Sequence, residues 1–285
     1  MTDTSKSDDK SGIVQLAKLV WEDGAVVSEY DYAAAEVPIA FEYNCVSHAV
    51  MMATPNDLVD FAVGFSLSEG IIETVGDLLD IEVAETDGGK VISMIIGEAH
   101  LQRLKNRRRA IVGRTGCGLC GAETIEQALQ SPPEVAQTVQ SVAHHSVQLA
   151  LSSLSAGQKL NSSTGAIHAA AWCEFSGQIA VVREDVGRHN ALDKLIGSLA
   201  QQKVASDSGF ILISSRASYE MVSKAAQFGA QLLVAVSGVT HLAVQMADEA
   251  GLTLVGFSRA HRHSVYTHPE RLSTAGNAPA RAASD

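Results

Sequence analysis

The sequence predicts an α/β protein made of a small N-terminal α+β unit and a larger unit with a parallel sheet between helices. In the second half of the chain, short continuous apolar runs alternate with segments of helical period, which is typical of a parallel sheet buried on both faces. In the first part, strands rich in β-branched residues surround one amphipathic helix. A basic run passes into a glycine-rich segment near residue 110, and we place the boundary there, between units spanning 13–110 and 111–272.

The composition excludes several classes of protein. The chain has 285 residues, of which 46% are hydrophobic, and a net charge of −11, which argues against a general nucleic-acid binder with a basic face. No run approaches the roughly 18 apolar residues of a membrane helix, and the polar start lacks the features of a signal peptide. We therefore expect a cytoplasmic protein that binds neither nucleic acid nor membrane, with disordered ends at 1–12 and 273–285.

Three strands and one helix are expected in the N-terminal unit. The runs “VPIAFEYN” (37–44) and “VSHAVMMA” (46–53) predict two strands joined by a short turn, and “KVISMIIG” (90–97) predicts a third. Between them, Thr54 is the expected N-cap of a helix that has proline at its first position and ends at Gly70. The apolar residues of this helix repeat at helical spacing, so one of its faces is expected to be buried.

The second unit is expected to open with a hairpin and to continue as β-α-β-α-β. Segment 166–185 predicts two strands around the turn Ser176-Gly177, and a helix follows with Asn190 as its N-cap. The apolar runs “FILIS”, “QLLVAVS” and “LTLVGFS” then alternate with two helical segments. Right-handed crossovers would cover the resulting sheet with helices.

Hydroxyl and guanidinium groups follow all three of these apolar strands. Ligands of open parallel sheets bind beyond the carboxyl ends of the strands, where helix N-termini also point. The candidate residues are Ser215, Arg216, Ser237, Thr240, Ser258, Arg259 and Arg262. Any one of these loops is explained by a Ser or Thr that caps the next helix. Because the loops together carry several arginines, we favour an anion site for a phosphorylated ligand.

A charged segment, 183–194, lies at the end of the predicted hairpin and includes His189. Two interpretations stay open for it. It is either the solvated start of a helix with local ion pairs, or a set of site residues that the preceding strand delivers to the sheet edge. His168, which lies beside an apolar run, is expected to be a packed histidine.

Cys117 and Cys120 form a Cys-x-x-Cys pair inside “GRTGCGLCG”. A structural zinc site would need two further ligands at suitable spacing, but the sequence has no second Cys-x-x-Cys, and the histidine-rich stretch “HRHSVYTH” (261–268) is basic and remote from the pair. Structural zinc is therefore a weaker alternative. A redox pair and a sulfur carrier are both compatible with this spacing. A carrier thiolate accepts a sulfur atom as a persulfide and delivers it to a second partner. The surrounding glycines predict a mobile segment that can reach two partners, and the basic run from Arg103 to Arg114 favours the thiolate.

Several motifs, taken in order, resemble the FdhD family of formate dehydrogenase accessory sulfurtransferases over residues 36–272. They are “TPNDLVDFAVGFSLSEGII”, “GRTGCGLCG”, “REDVGRHNALDK”, “SSRASYEMVSKAA” and “VSGVTHLAVQMA”. The resemblance implies a three-layer α/β/α domain similar to cytidine deaminase, and a homodimer. It also implies that sulfur passes from a cysteine desulfurase to a molybdenum bis(molybdopterin guanine dinucleotide) cofactor, Mo-bisMGD, before this cofactor enters formate dehydrogenase.

The resemblance further implies roles for particular residues. Cys117 matches the position of the persulfide intermediate, and Cys120 is its partner. The family's cofactor-binding stretch matches Phe257, Ser258, Arg259, Ala260, His261 and Arg262. The anion site would then receive the guanine dinucleotide phosphates, for which GDP is a partial mimic, and no intrinsic metal is expected. Two alternatives are a chaperone that binds Mo-bisMGD without transferring sulfur, and a dithiol oxidoreductase.

Overall fold

A computed structural model of the chain describes residues 12–109, 131–137 and 140–274. This part contains seven α-helices and several β-sheets, so the predicted mixed α/β class is confirmed. No helix within these ranges is long and apolar enough to span a bilayer. The predicted boundary near residue 110 lies outside the described residues.

The N-terminal part holds six strands and two helices. Its elements are β1 (Ile13–Glu22), β2 (Ala25–Ala34), β3 (Val37–Tyr43), β4 (Val46–Ala53), α1 (Leu58–Ser68), β5 (Leu78–Thr86), β6 (Gly89–Ile96) and α2 (Glu98–Arg109). β1 and β2 form an antiparallel hairpin by themselves, and the other four strands form a sheet in the order β4-β3-β6-β5. The three predicted strands are confirmed as β3, β4 and β6.

The C-terminal part holds a six-stranded sheet, a short two-stranded pairing and five helices. Its elements are β7 (Val142–Ala143), α3 (His144–Gly157), α4 (Lys159–Thr164), β8 (His168–Glu174), β9 (Ile179–Asp185), α5 (Arg188–Gln201), β10 (Gly209–Ile213), α6 (Tyr219–Phe228), β11 (Leu232–Ala235), α7 (His241–Glu249), β12 (Thr253–Arg259), β13 (Arg262–Val265) and β14 (Leu272–Ser273). The predicted hairpin is confirmed as β8 and β9, and the predicted β-α-β-α-β run is confirmed from β10 to β12.

The six-stranded sheet has the order β13-β12-β11-β10-β8-β9. β10, β11 and β12 are parallel, while β8 and β13 run antiparallel to their neighbours. One face packs against α5, α6 and α7 through residues such as Ile211 and Leu233, and the other packs against α3 through Phe210 and Val234. The sheet is therefore buried on both faces, which explains why its strands read as continuous apolar runs.

Two predicted helix starts are wrong. α1 begins at Leu58 and α5 begins at Arg188, so neither Thr54 nor Asn190 is an N-cap. Both side chains are instead buried in contacts between the two parts of the chain. Thr54 Oγ1 donates to the Asp185 carboxylate at 2.8 Å, and Asn190 Nδ2 donates to a main-chain carbonyl of β4 at 2.9 Å. Tertiary hydrogen bonds thus take the place of the local caps that the spacing predicted.

α1 and α5 cross in direct backbone contact at two glycines. A Cβ atom on Gly64 would lie 2.6 Å from the carbonyl carbon of Asp193 and 2.7 Å from the amide nitrogen of Gly197. A Cβ atom on Gly197 would lie 2.7 Å from the amide nitrogen of Gly64, and closer still to the carbonyl oxygen of Asp60. Since real Cβ atoms do not approach backbone so closely, both positions require glycine. The two parts of the molecule are joined through this crossing.

Candidate functional site at the carboxyl edge of the six-stranded sheet

The loops that follow the three parallel strands lie side by side at one edge of the sheet. Ala217 pairs with Val239 as an isolated parallel bridge, and the Thr240 amide donates to Ala217 O at 3.0 Å. The Phe257 amide donates to Ser237 O at 2.8 Å. The prediction that these loops converge is therefore confirmed, because parallel strands bring their carboxyl ends to the same edge.

Exposed cationic side chains stand on the turn between β12 and β13. Arg259, Ala260, His261 and Arg262 are all exposed, and two of them carry guanidinium groups that a phosphate can reach from solvent. Ser258 is only 1% exposed, and its buried hydroxyl has no hydrogen-bond partner among the described residues. The turn therefore presents positive charge to solvent above a buried polar atom.

The backbone of this turn adopts a conformation that residues other than glycine rarely take. Phe257 has a φ of 50° and His261 a φ of 61°, both in the left-handed region. The Phe257 ring lies over Gly238, where a Cβ atom would come within 3.0 Å of the ring. Such conformations cost on the order of 1–3 kcal/mol each and cluster at ligand sites. The geometry of the turn thus agrees with a binding role for it.

The hydroxyl groups predicted for the site differ in their exposure and in the hydrogen bonds that they make. Thr240 Oγ1 accepts a hydrogen bond from the Ala243 amide at 3.3 Å, so Thr240 is the N-cap of α7, as the simpler interpretation held. Ser215 is 6% exposed, and its hydroxyl donates to Arg216 O within the same loop at 2.9 Å. Arg216 is exposed, and Ser237 is partly exposed. Contact of these residues with a ligand stays a prediction.

Much of the charged segment 183–194 is buried and holds the two parts of the chain together. The side chains of Asp185 and Lys194 are fully buried and lie 2.7 Å apart. Lys194 Nζ also donates to Thr54 O at 3.1 Å, and Thr54 N donates to Asp185 at 3.0 Å. Burial lowers the pKa of Lys194, while the Asp185 carboxylate opposes this shift. These residues form an internal connection and do not face a ligand.

A second buried cation continues the same interface. Lys224 Nζ lies 2.7 Å from Glu69 and 3.0 Å from Asp193, and it donates to Ser68 Oγ at 2.9 Å. Burial opposes the charge on Lys224, but the Asp193 and Glu69 carboxylates raise its pKa above the usual value. The C-terminal part is therefore connected to the N-terminal part through two buried lysines: Lys194 on α5 bonds Thr54, which lies before α1, and Lys224 on α6 bonds Ser68 and Glu69 at the end of α1.

Arg188 and His189 belong to a different group, at the N-termini of α5 and α6. His189 Nε2 lies 2.7 Å from the Glu220 carboxylate, and an Arg188 guanidinium nitrogen lies 3.9 Å from it. The close contact with His189 lowers the pKa of Glu220. His168 is half-buried opposite Asp185 at the start of β8, and burial together with the Arg188 charge lowers its pKa. This group lies at the same edge as the three loops.

Glu220 and a group around the histidine pair His144 and His263 lie at this edge, and neither Glu220 nor this pair was identified from the sequence. Glu220 is signalled only by its place in the first turn of a helix that follows a parallel strand. The second group surrounds the β12–β13 hairpin, where His144 Nδ1 lies 2.8 Å from His263 Nε2 although the two are 119 positions apart. No local pattern could join them. A cavity of about 470 Å³ there is lined by His144, His145, Gln148, His261, Arg262, His263 and Val265.

The predicted reactive residues, Cys117 and Cys120, lie outside the described residues. Of the cysteines that the structure describes, Cys45 is exposed and Cys173 is buried, and burial raises the pKa of the Cys173 thiol. A buried thiol of high pKa is a poor nucleophile. Across residues 12–109, 131–137 and 140–274, no group of three or more His, Cys, Asp or Glu is placed to hold a metal ion.

The fold and this edge define a class of protein. It is an α/β protein with a six-stranded mixed sheet, fixed to a smaller four-stranded sheet, that presents cations on the loops at its carboxyl edge. The sequence profile of the FdhD/NarQ family matches residues 34–273, and the chain belongs to this family.

Relatives and a solved structure agree with the family and the fold. The sulfur carrier protein FdhD of Cupriavidus necator is 50% identical over 252 residues, which cover 88% of this chain and 87% of that protein. The sulfur carrier protein FdhD of Xanthomonas oryzae pv. oryzae is 47% identical over 277 residues, which cover 96% of this chain and 97% of that protein. A crystal structure from Desulfotalea psychrophila, described as that of a candidate formate dehydrogenase accessory protein, has a TM-score of 0.71 at 22% identity. It covers 92% of this chain and 99% of that one.

Proposed function

We propose that this chain is a sulfur carrier that serves formate dehydrogenase. The Cys117 thiolate attacks the terminal sulfur of a persulfide on a cysteine desulfurase, becomes a persulfide itself and releases the donor thiolate. The S–S bond of this persulfide then breaks, Cys117 leaves as a thiolate, and the outer sulfur atom passes to Mo-bisMGD, whose reduced metal would supply the electron pair of the new bond. Mo-bisMGD is the substrate of this transfer and later enters the dehydrogenase. Cys120 is the partner thiol of Cys117.

Family membership is the observation that carries this proposal. The match covers residues 34–273, which include the segment “GRTGCGLCG” with both thiols. Relatives that are 47% to 50% identical over most of their length are named sulfur carrier proteins. A thiolate of lowered pKa is the nucleophile that persulfide transfer requires, and the basic residues before Cys117 favour that form.

The carboxyl edge of the six-stranded sheet suits the substrate. The exposed guanidinium groups of Arg216, Arg259 and Arg262 can make charge-assisted hydrogen bonds with pyrophosphate oxygens. The half-exposed ring of Phe257 offers a surface on which a guanine base can stack. The proposed binding residues are Phe257, Ser258, Arg259, Ala260, His261, Arg262, Ser215, Arg216, Ser237, Thr240 and His189.

Intact-mass spectrometry tests the sulfur step. After incubation with a cysteine desulfurase and cysteine, the wild-type chain should gain the mass of one sulfur atom, and Cys117→Ala should gain none. Cys45→Ala is the matched control, since it removes an exposed thiol away from the sheet edge and should gain sulfur normally. A wild-type chain that never gains sulfur contradicts the proposal and favours a chaperone. A Cys117–Cys120 disulfide that cycles with a model disulfide favours an oxidoreductase.

GDP binding tests the substrate site separately. Arg259→Ala should weaken GDP binding about 10-fold, because a charge-assisted hydrogen bond is worth about 1.5–3 kcal/mol and part of it is replaced by water. Arg103→Ala is the control, since Arg103 is also an exposed arginine and pairs with Glu73 in the N-terminal part. Equal GDP affinity in both variants, measured by calorimetry, would remove the turn from the proposed site.

Three further properties belong to the proposal. We propose that the protein works in the cytoplasm as a homodimer. We also propose that its C-terminal unit has a fold similar to cytidine deaminase, with three α/β/α layers. The hairpin of β8 and β9 followed by the run from β10 to β12, with α3 on one face and three helices on the other, supports this fold.

A further inference from the structure

The hairpin of β1 and β2, here called the ribbon, exposes an unusual amount of apolar surface. Eight large apolar side chains between residues 13 and 34 are more than a third exposed, against nine in the rest of the described chain. They are Val14, Leu16, Leu19, Trp21, Val26, Val27, Tyr30 and Tyr32. Apolar patches of this kind mark interaction surfaces.

One face of the ribbon carries no charged residue. Leu19 is paired with Ser28 and Trp21 with Val26, and side chains alternate between the two faces along each strand. The uncharged face therefore consists of Ile13, Gln15, Ala17, Leu19, Trp21, Val26, Ser28, Tyr30, Tyr32 and Ala34. The opposite face carries Lys18, Glu22, Glu29 and Asp31. The enrichment of Trp and Tyr on the uncharged face is typical of protein interfaces.

The ribbon is too weakly supported to be stable by itself. An isolated two-stranded hairpin is marginally stable at best in water, and this one has two strands of 10 residues each, about 30 Å long. Its base is tied down where Ala35 N donates to Gly12 O at 2.9 Å, and where Gly12 lies against Leu160 of α4. Beyond this base the ribbon needs a cover for its uncharged face.

We infer that this cover is the ribbon of a second copy of the same chain, packed uncharged face to uncharged face about a two-fold axis. The uncharged face suits a second copy, because two chains of net charge −11 repel each other and a contact through an acidic face would add to this repulsion. A two-fold contact also uses the same patch on both partners, so one self-complementary face is sufficient. The inference rests on the homodimer proposed above and assigns its interface.

The area of the uncharged face is large enough for this role. Leu19, Trp21 and Tyr30 are 74%, 71% and 76% exposed. With Val26 and Tyr32 they offer about 600 Å² per copy, given that an aromatic side chain buries 150–250 Å². Two copies would bury about 1,200 Å², the lower end of stable interfaces. Because interfaces near this lower limit are typically weak, we expect a dimer that dissociates at roughly micromolar concentrations.

Trp21 reports on this contact without any mutation. It is one of two tryptophans in the chain, and the other, Trp172, is 2% exposed. In dilutions of the full chain over the micromolar range, acrylamide quenching of the fluorescence should rise several-fold as the sedimentation mass falls from dimer to monomer. Trp21→Phe should abolish the change in quenching while the mass still falls. Trp21 that stays fully quenchable in a dimeric sample, or a chain that is monomeric at high concentration, would overturn the inference.

Two double variants locate the contact on one face of the ribbon. Leu19→Glu with Tyr30→Glu places two charges on the uncharged face and should weaken the dimer at least 100-fold. Leu16→Glu with Val27→Glu adds the same charge to the opposite face at exposed positions and should leave the dimer intact. Equal masses for both double variants contradict the assignment. Sulfur loading of Cys117, measured on the same samples, should be unchanged, so failure of the interface and failure of the carrier function are told apart.

Discussion

Gly197→Ala should strongly destabilise the protein, although helix propensity alone predicts the opposite. Alanine in the interior of a helix is about 1 kcal/mol more favourable than glycine. The added Cβ, however, would lie 2.7 Å from the Gly64 amide nitrogen and closer to the Asp60 carbonyl, and both are backbone atoms that cannot rotate away. α1 and α5 must therefore separate, which strains the buried hydrogen bonds of Lys194 and Lys224 across the same interface.

The expected loss is about 3 kcal/mol or more. Overpacking in a core costs about 1–3 kcal/mol, and each weakened hydrogen bond from a charged group adds about 1.5 kcal/mol. Urea unfolding followed by circular dichroism measures the free energy of unfolding. Gly76→Ala is the control, because its Cβ would meet only the Thr74 hydroxyl at 3.7 Å, and it should change stability by less than about 0.5 kcal/mol. A Gly197→Ala protein as stable as the wild type would refute the helix crossing.

Two further predictions follow from buried groups. Thr54→Val keeps the shape of the side chain but removes the hydroxyl that bonds Asp185, and it should lower the free energy of unfolding by about 2 kcal/mol. Thr86→Val, at the exposed end of β5, should change the free energy of unfolding little. Burial, helped by neighbouring cationic or histidine groups, lowers the pKa of His168 and of His263 below the usual 6.5. The unfolded chain therefore binds more protons just below pH 6.5, so the melting temperature should fall as the pH drops from there, and less steeply in His263→Gln. If the melting temperature of His263→Gln depends on pH in the same way as that of the wild type, His263 does not contribute to this pH dependence.

Elements whose pattern is local were predictable from the sequence. β8 and β9 follow from two strand-like runs around the turn Ser176-Gly177, where Gly177 has a φ of 90°. β10 to β12 follow from short apolar runs between helical segments. The convergence of the three loops also followed, because the topology of a parallel sheet dictates it. The ribbon was missed, although its Asp23-Gly24 turn has positive φ at both residues and is a strong hairpin signal.

Features that depend on distant partners were not predictable. Thr54 and Asn190 have the chemistry of helix caps, yet their side chains bond residues more than 100 positions away. From the sequence, the segment 183–194 is either the ion-paired start of a helix or a set of site residues. The structure shows that some of its residues are internal and that others lie at the sheet edge. Asp185 and Lys194 are internal, while Arg188 and His189 lie at the sheet edge. Only the fold decides between such roles, because the residue types are the same in both.

Maturation of formate dehydrogenase by the Cys117→Ala variant tests the central claim most directly. In cells whose own copy of this gene is deleted, the wild-type chain should restore formate dehydrogenase activity and Cys117→Ala should not. The purified variant should nevertheless fold and bind GDP like the wild type, which separates the loss of sulfur transfer from a loss of structure. Full dehydrogenase activity supported by Cys117→Ala would contradict the account.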